Sequence, residues 1–296
     1  MTSIGLTWNS EIRDNGTAFY FRRALERMVA GGGLAEVKHY QARGEVGKHD
    51  WYFYVDDGRD DLKWLPPHPC AYYAIDTHLG YGYRLWKARH FDRVFVAQKD
   101  AVAQMKHDGV PWVEWLPLAC DPEHHATATE LQAKGVPDSM LEREWDAAFV
   151  GFLRDDTHPA MNNRIEYLDT LFREIPKSWL SVNVFHEGMA LRYVKSRVGF
   201  NVSVKRDLNM RVFEVMSTGT PLLTNRNVEG IEELFEDGVH YVGYEGPQEA
   251  VERAKWMLAH RDEANAIGRC GHAEVRARHT YRHRVETIAA EMEKAA

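Results

Sequence analysis

Arg211 and Glu214 stand three residues apart in the stretch Asn209-Met-Arg-Val-Phe-Glu-Val-Met-Ser-Thr-Gly-Thr-Pro-Leu-Leu-Thr224. At that spacing two side chains share one face of a helix. Val212, Val215 and Met216 fall on another face, which can pack on a sheet. Gly219 ends the helix, Pro221 prevents its continuation, and Leu222-Leu223 opens a buried strand. The amide-rich helix start, which includes Asn209, and the Arg211 guanidinium can hold phosphate oxygens. Glu214 can accept hydrogen bonds from two ribose hydroxyls. The pattern therefore suits a nucleoside diphosphate. An Arg–Glu surface ion pair is the competing reading of the same spacing.

Further segments extend the pattern. They are Asp56-Asp57-Gly58, His68-Pro69-Cys70-Ala71-Tyr72, Ala74-Ile75-Asp76-Thr77-His78, Phe91-Asp92, Val96-Ala97-Gln98-Lys99-Asp100 and Trp115-Leu116-Pro117-Leu118-Ala119. Ala148-Phe149-Val150-Gly151 and His279-Thr-Tyr-Arg-His-Arg284 complete the set. In their order and spacing these segments resemble the group 1 glycosyltransferases of GT-B fold, and within them the CgeB-like (spore maturation protein type) enzymes. The resemblance runs from about residue 50 to the end. It implies two Rossmann-like doubly wound parallel-sheet domains facing a cleft, with a C-terminal helix, Tyr281–Lys294, crossing back to the first. It also implies transfer of a sugar from a nucleoside diphosphate donor, UDP-linked by expectation, to an acceptor hydroxyl. No cofactor besides that co-substrate is expected. Many group 1 enzymes carry a second Glu eight residues before the ribose Glu. Here that position is Arg206, so the partner carboxylate is either the adjacent Asp207 or absent. Asp207 can equally serve as an N-cap of the helix.

Other residues fit the same chemistry. Lys205 and Arg206 precede the helix and could neutralise a diphosphate without metal. Asn201 and Ser203 end the preceding strand and either line the pocket or are ordinary strand-end polarity. Gly151, between a strand and a polar loop, and Arg164, opening the next helix, form a phosphate-approach geometry. Asp76 and His78 follow a strand of the first domain. Either could be the general base that an inverting transferase uses on its acceptor hydroxyl, and with retention both would only position the acceptor. Asp76 as a cap of its own loop is the alternative. The run Asp56-Asp57-Gly58-Arg59-Asp60-Asp61 suggests a hard cation, yet it lacks calcium-loop spacing. A solvated acidic loop is expected there, with Asp56 or Asp57 touching the acceptor and no metal bound.

The elements that must position these groups alternate. Strand-like runs at Ile4–Trp8, Val37–Tyr40, Trp51–Val55, Tyr72–Ile75, Val94–Ala97 and Val113–Leu118 are separated by helical patterns at Ala18–Val29, Tyr83–Phe91 and Ala101–Met105. A polar stretch over 120–145 reads as a linker with one helix. Strands at Ala147–Phe152, Leu180–Phe185, Val198–Val202, Leu222–Thr224 and Tyr241–Tyr244 then alternate with helices at Ile165–Ile175, Met189–Lys195 and Ile231–Phe235. Residues 248–278 and 281–294 read as helical. Such alternation indicates βαβ units and parallel sheets. The expected divisions are 1–118 for an acceptor-side domain, 119–145 for a linker, 146–278 for the nucleotide-sugar domain and 279–296 for the crossover helix.

Composition sets outer limits. At 296 residues, with 44% hydrophobic and 27% charged residues, the chain is an ordinary globular sequence with room for two domains. A net charge of −7 argues against general nucleic-acid binding, though not against a local basic patch. Cys70, Cys120 and Cys270 are scattered, so neither a disulfide framework nor a zinc knuckle is signalled. That usage, with no signal peptide and no spanning run, leads to a cytoplasmic expectation. The sequence contains no complete dinucleotide fingerprint, since position 85 after Gly80-Tyr-Gly82 is Leu, and no P-loop, nucleophile elbow or His-Glu-x-x-His. Three rivals remain: glycosylation of a modified nucleic-acid base, a fold-retaining nucleotide-sugar binder without turnover, and a sugar epimerase of the same fold. The epimerase needs a carboxylate pair that the chain does not display.

Overall fold

A computed structural model describes residues 1–8, 15–41, 43–56, 64–153 and 163–295. Strands form where aromatic and β-branched residues run together. Trp51–Val55 reads Trp-Tyr-Phe-Tyr-Val and Cys70–Ala74 reads Cys-Ala-Tyr-Tyr-Ala, each buried at every position. Burial of both faces is the mark of a parallel sheet covered by crossover helices.

The chain divides into two compact units, Met1–Leu118 with Tyr281–Ala296, and Ala119–Thr280. In the first, strands β1 (Ser3–Thr7), β2 (Glu36–Tyr40), β3 (Trp51–Val55), β4 (Cys70–Ala74), β5 (Arg93–Val96) and β6 (Val113–Trp115) form one sheet in the order β2-β1-β3-β4-β5-β6. Every pairing is parallel. Helices α1 (Thr17–Ala30), α2 (Tyr81–Ala88) and α3 (Asp100–His107) belong to its connections.

The second unit begins with a short helix, α4 (Ala128–Ala133), started by a capping box between Thr127 and Glu130. Then follow β7 (Trp145–Val150), α5 (Asn163–Glu174), β8 (Ser178–Ser181), α6 (His186–Val194), β9 (Ser196–Phe200), α7 (Met210–Ser217), β10 (Leu222–Asn225), α8 (Ile231–Leu234), β11 (Val242–Tyr244), α9 (Gly246–Ala259) and α10 (Arg261–Arg278). The sheet order is β11-β10-β9-β7-β8, again parallel throughout. Its core joins Phe149, Leu171, Phe200, Leu223 and Tyr244 to Ala250, Ala254 and Met257 of α9.

The last helix, α11 (Tyr281–Ala295), packs on α1 in the first unit. Tyr281 stacks on Tyr20 with ring centroids 5.2 Å apart and meets Phe21 edge-on. Arg284 donates to the carbonyls of Pro117 and Leu118 at 2.7 and 3.1 Å. The two parallel α/β halves and the returning helix expected from the sequence are thus present.

Several local expectations change; the strand expected over Val113–Leu118, for one, stops at Trp115, and that over Ala147–Phe152 runs from Trp145 to Val150. The strand expected over Leu180–Phe185 lies earlier, at Ser178–Ser181, on a sheet edge. Leu180, Val182 and Phe185 drew the reading as buried residues, but all three are exposed. The helical run over 248–278 breaks at His260, whose φ of −110° and ψ of 58° leave the helical region. The tail of the helix expected to reach Lys195 stops at Val194, and its start moves forward to His186.

Candidate functional site

In an open parallel sheet, ligands bind beyond the carboxyl ends of strands where the strand order reverses. In the second sheet that point lies between β7 and β9, because β8 continues to one side and β10 to the other. Gly151 follows β7 and Asn201 follows β9. Helix α7, with Arg211 and Glu214, is the connection from β9 to β10. The topology therefore brings Gly151, Asn201, Ser203, Asn209, Arg211 and Glu214 to one corner of one unit.

Side-chain contacts tie these groups together. Asn201 is fully buried, and its Nδ2 donates to Thr224 Oγ1 at 2.9 Å. Its Oδ1 accepts from Asn209 Nδ2 at 3.3 Å and from Arg211 Nη1 at 3.4 Å. Asn209 Nδ2 also reaches Ser203 Oγ at 3.2 Å. The backbone N–H of Ser203 donates to Asn225 Oδ1 at 2.8 Å, and Tyr244 donates to the carbonyl of Asn201 at 2.7 Å. Asn209 is the N-cap residue of α7, yet its side chain makes no cap bond. Among the described residues, Asn209 Oδ1 and Arg211 Nε are buried without a hydrogen-bond partner. Other buried polar atoms of the described residues, among them Arg164 Nε and Tyr241 Oη, also lack a partner, so what sets this corner apart is the convergence of these side chains beyond β7 and β9.

Arg211 lies against the backbone of Gly151. A Cβ on residue 151 would sit 2.8 Å from Arg211 Cζ, so only glycine lets the guanidinium take this position. The guanidinium also lies 5.1 Å from the Phe149 ring centroid, within cation–π range. Helix α7 ends as the sequence predicts, with Gly219 at φ +76° just past it.

Glu214 faces inward. It is 4% exposed, and burial pushes its carboxyl up to about 7, with Arg211 opposing the shift. Its neighbour is His125, fully buried, with Nε2 3.5 Å from Glu214 Oε1. The His125 Nδ1 accepts the Asp121 N–H at 3.1 Å, and its carbonyl accepts from Ser217 Oγ and Arg276 Nη2. Burial, then the neighbouring cationic groups His124, His186 and Arg276, hold His125 well below the usual histidine pKa. Sequence reasoning passed over His125 because it lies in the polar stretch assigned to a linker. The one signal was its place in Asp121-Pro-Glu-His-His125, where Asp121 starts a turn by accepting the Glu123 N–H.

Other expected residues take different positions. Arg164 is 6% exposed and donates to the carbonyls of Phe152 and Val202 at 2.6 and 3.1 Å, holding together the chain after β7 and β9. Burial, then Arg211, lowers its pKa to about 10. Asp207 is not the helix cap, because Lys205 and Arg206 take left-handed conformations, φ 48° and 61°, and α7 starts only after Asn209. Two successive non-glycine residues in that region are costly, and such strain gathers at functional sites. Arg206 is committed at the surface, with Nη2 2.7 Å from Glu229 Oε2. Lys205 is exposed beside it.

In the first unit, Asp76 follows β4 with φ 53°, and Thr77 beside it is fixed by Gln98 Oε1. Asp76 and His78 are both partly exposed. Asp56 departs from its expected place against an acceptor. It is wholly buried, 2.9 Å from Arg84 Nε, and accepts the Tyr72 hydroxyl at 2.9 Å. The carboxylate is held inside because the buried Arg84 guanidinium needs a counter-charge. Asp57 lies outside the described residues.

The comparisons with known proteins bear on this corner. Residues 144–290 match the family described as "Glycosyl transferase-like", a segment that contains Gly151, Asn201, Arg211 and Glu214. That segment belongs to the glycosyltransferases. No curated protein matches the chain. Solved structures share the fold of this chain over nearly their whole length. A sucrose-phosphate synthase from Thermosynechococcus elongatus aligns over 100% of both chains, with 12% identity and a TM-score of 0.63. HepE from Anabaena, solved with UDP and glucose, aligns over 99% of this chain and 100% of its own, with 12% identity and a TM-score of 0.62. An alpha-glucosyltransferase, solved with UDP and a 13-mer DNA containing an HMU base, covers 98% of this chain and 99% of its own, with 10% identity and a TM-score of 0.66. Among the described residues, no helix is long and apolar enough to cross a membrane.

Proposed function

We propose that this glycosyltransferase moves a sugar from a UDP-linked donor to an acceptor hydroxyl, in the manner of the CgeB-like enzymes, and needs no metal to do so. The observation that carries the reading is the corner beyond β7 and β9, where Asn209 and Arg211 converge on Asn201 Oδ1 and the same helix carries the buried Glu214 carboxyl. Arg211 and the amide end of α7 hold the diphosphate oxygens, and Lys205 adds charge beside them. Glu214 accepts the ribose hydroxyls. Gly151 gives the phosphates access to backbone, and Arg164 braces the loop they rest on. Asp76 or His78 takes the proton of the acceptor hydroxyl, which makes that oxygen nucleophilic as the bond to UDP breaks.

Calorimetry with UDP and UDP-glucose, in the presence of a chelator, tests this. Saturable binding that Glu214→Ala weakens at least tenfold supports the site, since two hydrogen bonds to a carboxylate are worth about 1.5–3 kcal/mol each. Unchanged binding in Glu214→Ala overturns it.

A second reading concerns the acceptor alone. The similarity to an alpha-glucosyltransferase solved with DNA favours a nucleic-acid base carrying a hydroxyl, while the net charge of −7 opposes it. Salt-dependent binding of duplex DNA would favour this acceptor.

A further inference from the structure

Two segments that the donor site does not use, His68-Pro69-Cys70 and Phe91-Asp92, meet at the amino edge of the first sheet. Cys70 opens β4, and Asp92 directly precedes β5. The parallel register that pairs Ala71 with Arg93 sets Cys70 beside Asp92. Asp92 Oδ2 accepts the Cys70 N–H at 2.8 Å and lies 2.8 Å from His68 Nδ1. Cys70 Sγ is 3.6 Å from the same Nδ1. The three atoms all lie within 4.8 Å of one another.

Thiolate, imidazole and carboxylate form a mixed donor set that suits a borderline-soft dication and disfavours magnesium or calcium. Around a tetrahedral zinc ion, ligand atoms at ~2.0–2.3 Å from the metal stand roughly 3.3–3.6 Å from each other. The sulfur–nitrogen separation already has that value. The nitrogen–oxygen pair must open by roughly half an ångström to reach it. His68 can supply the movement, because its side chain is 65% exposed. Without a cation the same groups form a small hydrogen-bonded cluster in which Cys70 Sγ donates to the His90 carbonyl at 3.7 Å.

We propose that His68 Nδ1, Cys70 Sγ and Asp92 Oδ2 bind one zinc ion, with water in the fourth position. On binding, the Cys70 S–H bond breaks, its proton passes to solvent, and a sulfur–zinc bond forms. The ion ties the start of β4 to the start of β5. It sits at the edge opposite Asp76, which lies beyond the carboxyl end of β4, so it braces the strand that leads to Asp76 and takes no part in sugar transfer.

Cobalt provides the test, because a cysteine ligand gives it a sulfur-to-metal charge-transfer band. The background is Cys270→Ser, which removes the exposed cysteine, stripped of metal with chelator. The expected result is one equivalent of cobalt bound with that band and displaced by one equivalent of zinc. His68→Ala, at an exposed position, and Asp92→Asn should each weaken binding by at least about tenfold. UDP affinity should stay unchanged in both variants. Absence of the charge-transfer band, or a band that persists at full affinity in both variants, overturns the proposal.

Discussion

Nε2 of His125 lies 3.5 Å from Oε1 of Glu214, with both side chains buried. The His125 Nδ1 accepts the Asp121 N–H, so the ring proton resides on Nε2 and faces the carboxyl. Burial keeps the imidazole neutral and raises Glu214 to about 7. The pair is therefore not a fixed ion pair. It is a neutral donor beside a carboxyl that changes charge near neutrality.

Stability should record that change. The Glu214 carboxyl ionises at about 4.5 in the unfolded chain and at about 7 in the folded one. Between those values the folded state binds more protons, so stability falls as pH rises through the window. The full effect is on the order of 3 kcal/mol. His125 acts in the opposite sense, since its stabilising neutral form is lost from the balance as pH falls below its unfolded value. A comparison with Glu214→Gln isolates the carboxyl. Urea unfolding should find the variant more stable than the parent at pH 8 by up to about 3 kcal/mol and nearly equal at pH 4.5. Equal differences at both pH values would show that Glu214 titrates alike in both states.

Donor affinity should show the reverse trend. UDP-glucose keeps a constant charge across this range, and a carboxylate is the better acceptor for two hydroxyl donors. Its Kd should be flat above pH 7 and rise as pH falls below it, approaching about tenfold per unit. In Glu214→Gln the same titration should be level. A parent enzyme with a level profile from pH 5.5 to 8 would place the ribose away from Glu214.

How much of this arrangement is legible in the sequence depends on the range of the interactions. The α7 site is local: a short amphipathic helix, a charged pair three apart and a glycine stop lie within 16 consecutive residues. Periodicity therefore places Arg211 and Glu214 correctly on one element. The parallel sheets follow from alternation for the same reason. His125 and Asp56 escape such reasoning because their partners are distant in sequence. His125 is 89 residues from Glu214, and the groups that hold its carbonyl, Ser217 and Arg276, are equally remote in sequence. Asp56 looks like the first member of an acidic surface run, and only Arg84 and Tyr72, arriving from other elements, make it an interior charge.

That interior role carries its own prediction. Asp56→Ala leaves the buried Arg84 guanidinium without its counter-charge, which should cost about 3–5 kcal/mol of stability. Thermal melting should register a large loss, and UDP affinity, measured below the new melting temperature, should be unchanged. A variant as stable as the parent but impaired with acceptor would return Asp56 to the acceptor side.

Gly151 and Arg211 should act as one unit. A methyl group on residue 151 meets the Arg211 guanidinium, with Cζ at 2.8 Å, so Gly151→Ala must push that side chain off the Phe149 ring and away from Asn201. Arg211→Ala removes the proposed phosphate contact directly and should weaken UDP binding about 10- to 100-fold, the worth of a charge-assisted hydrogen bond. If Gly151→Ala acts by displacing Arg211, it should cause a similar loss alone and almost none in the Arg211→Ala background. Residues in contact are coupled in this way, whereas independent sites add. Calorimetric Kd values for the four proteins of this cycle decide between the two cases. Additive losses would mean that Gly151 serves the phosphates through its own backbone and that Arg211 holds them independently.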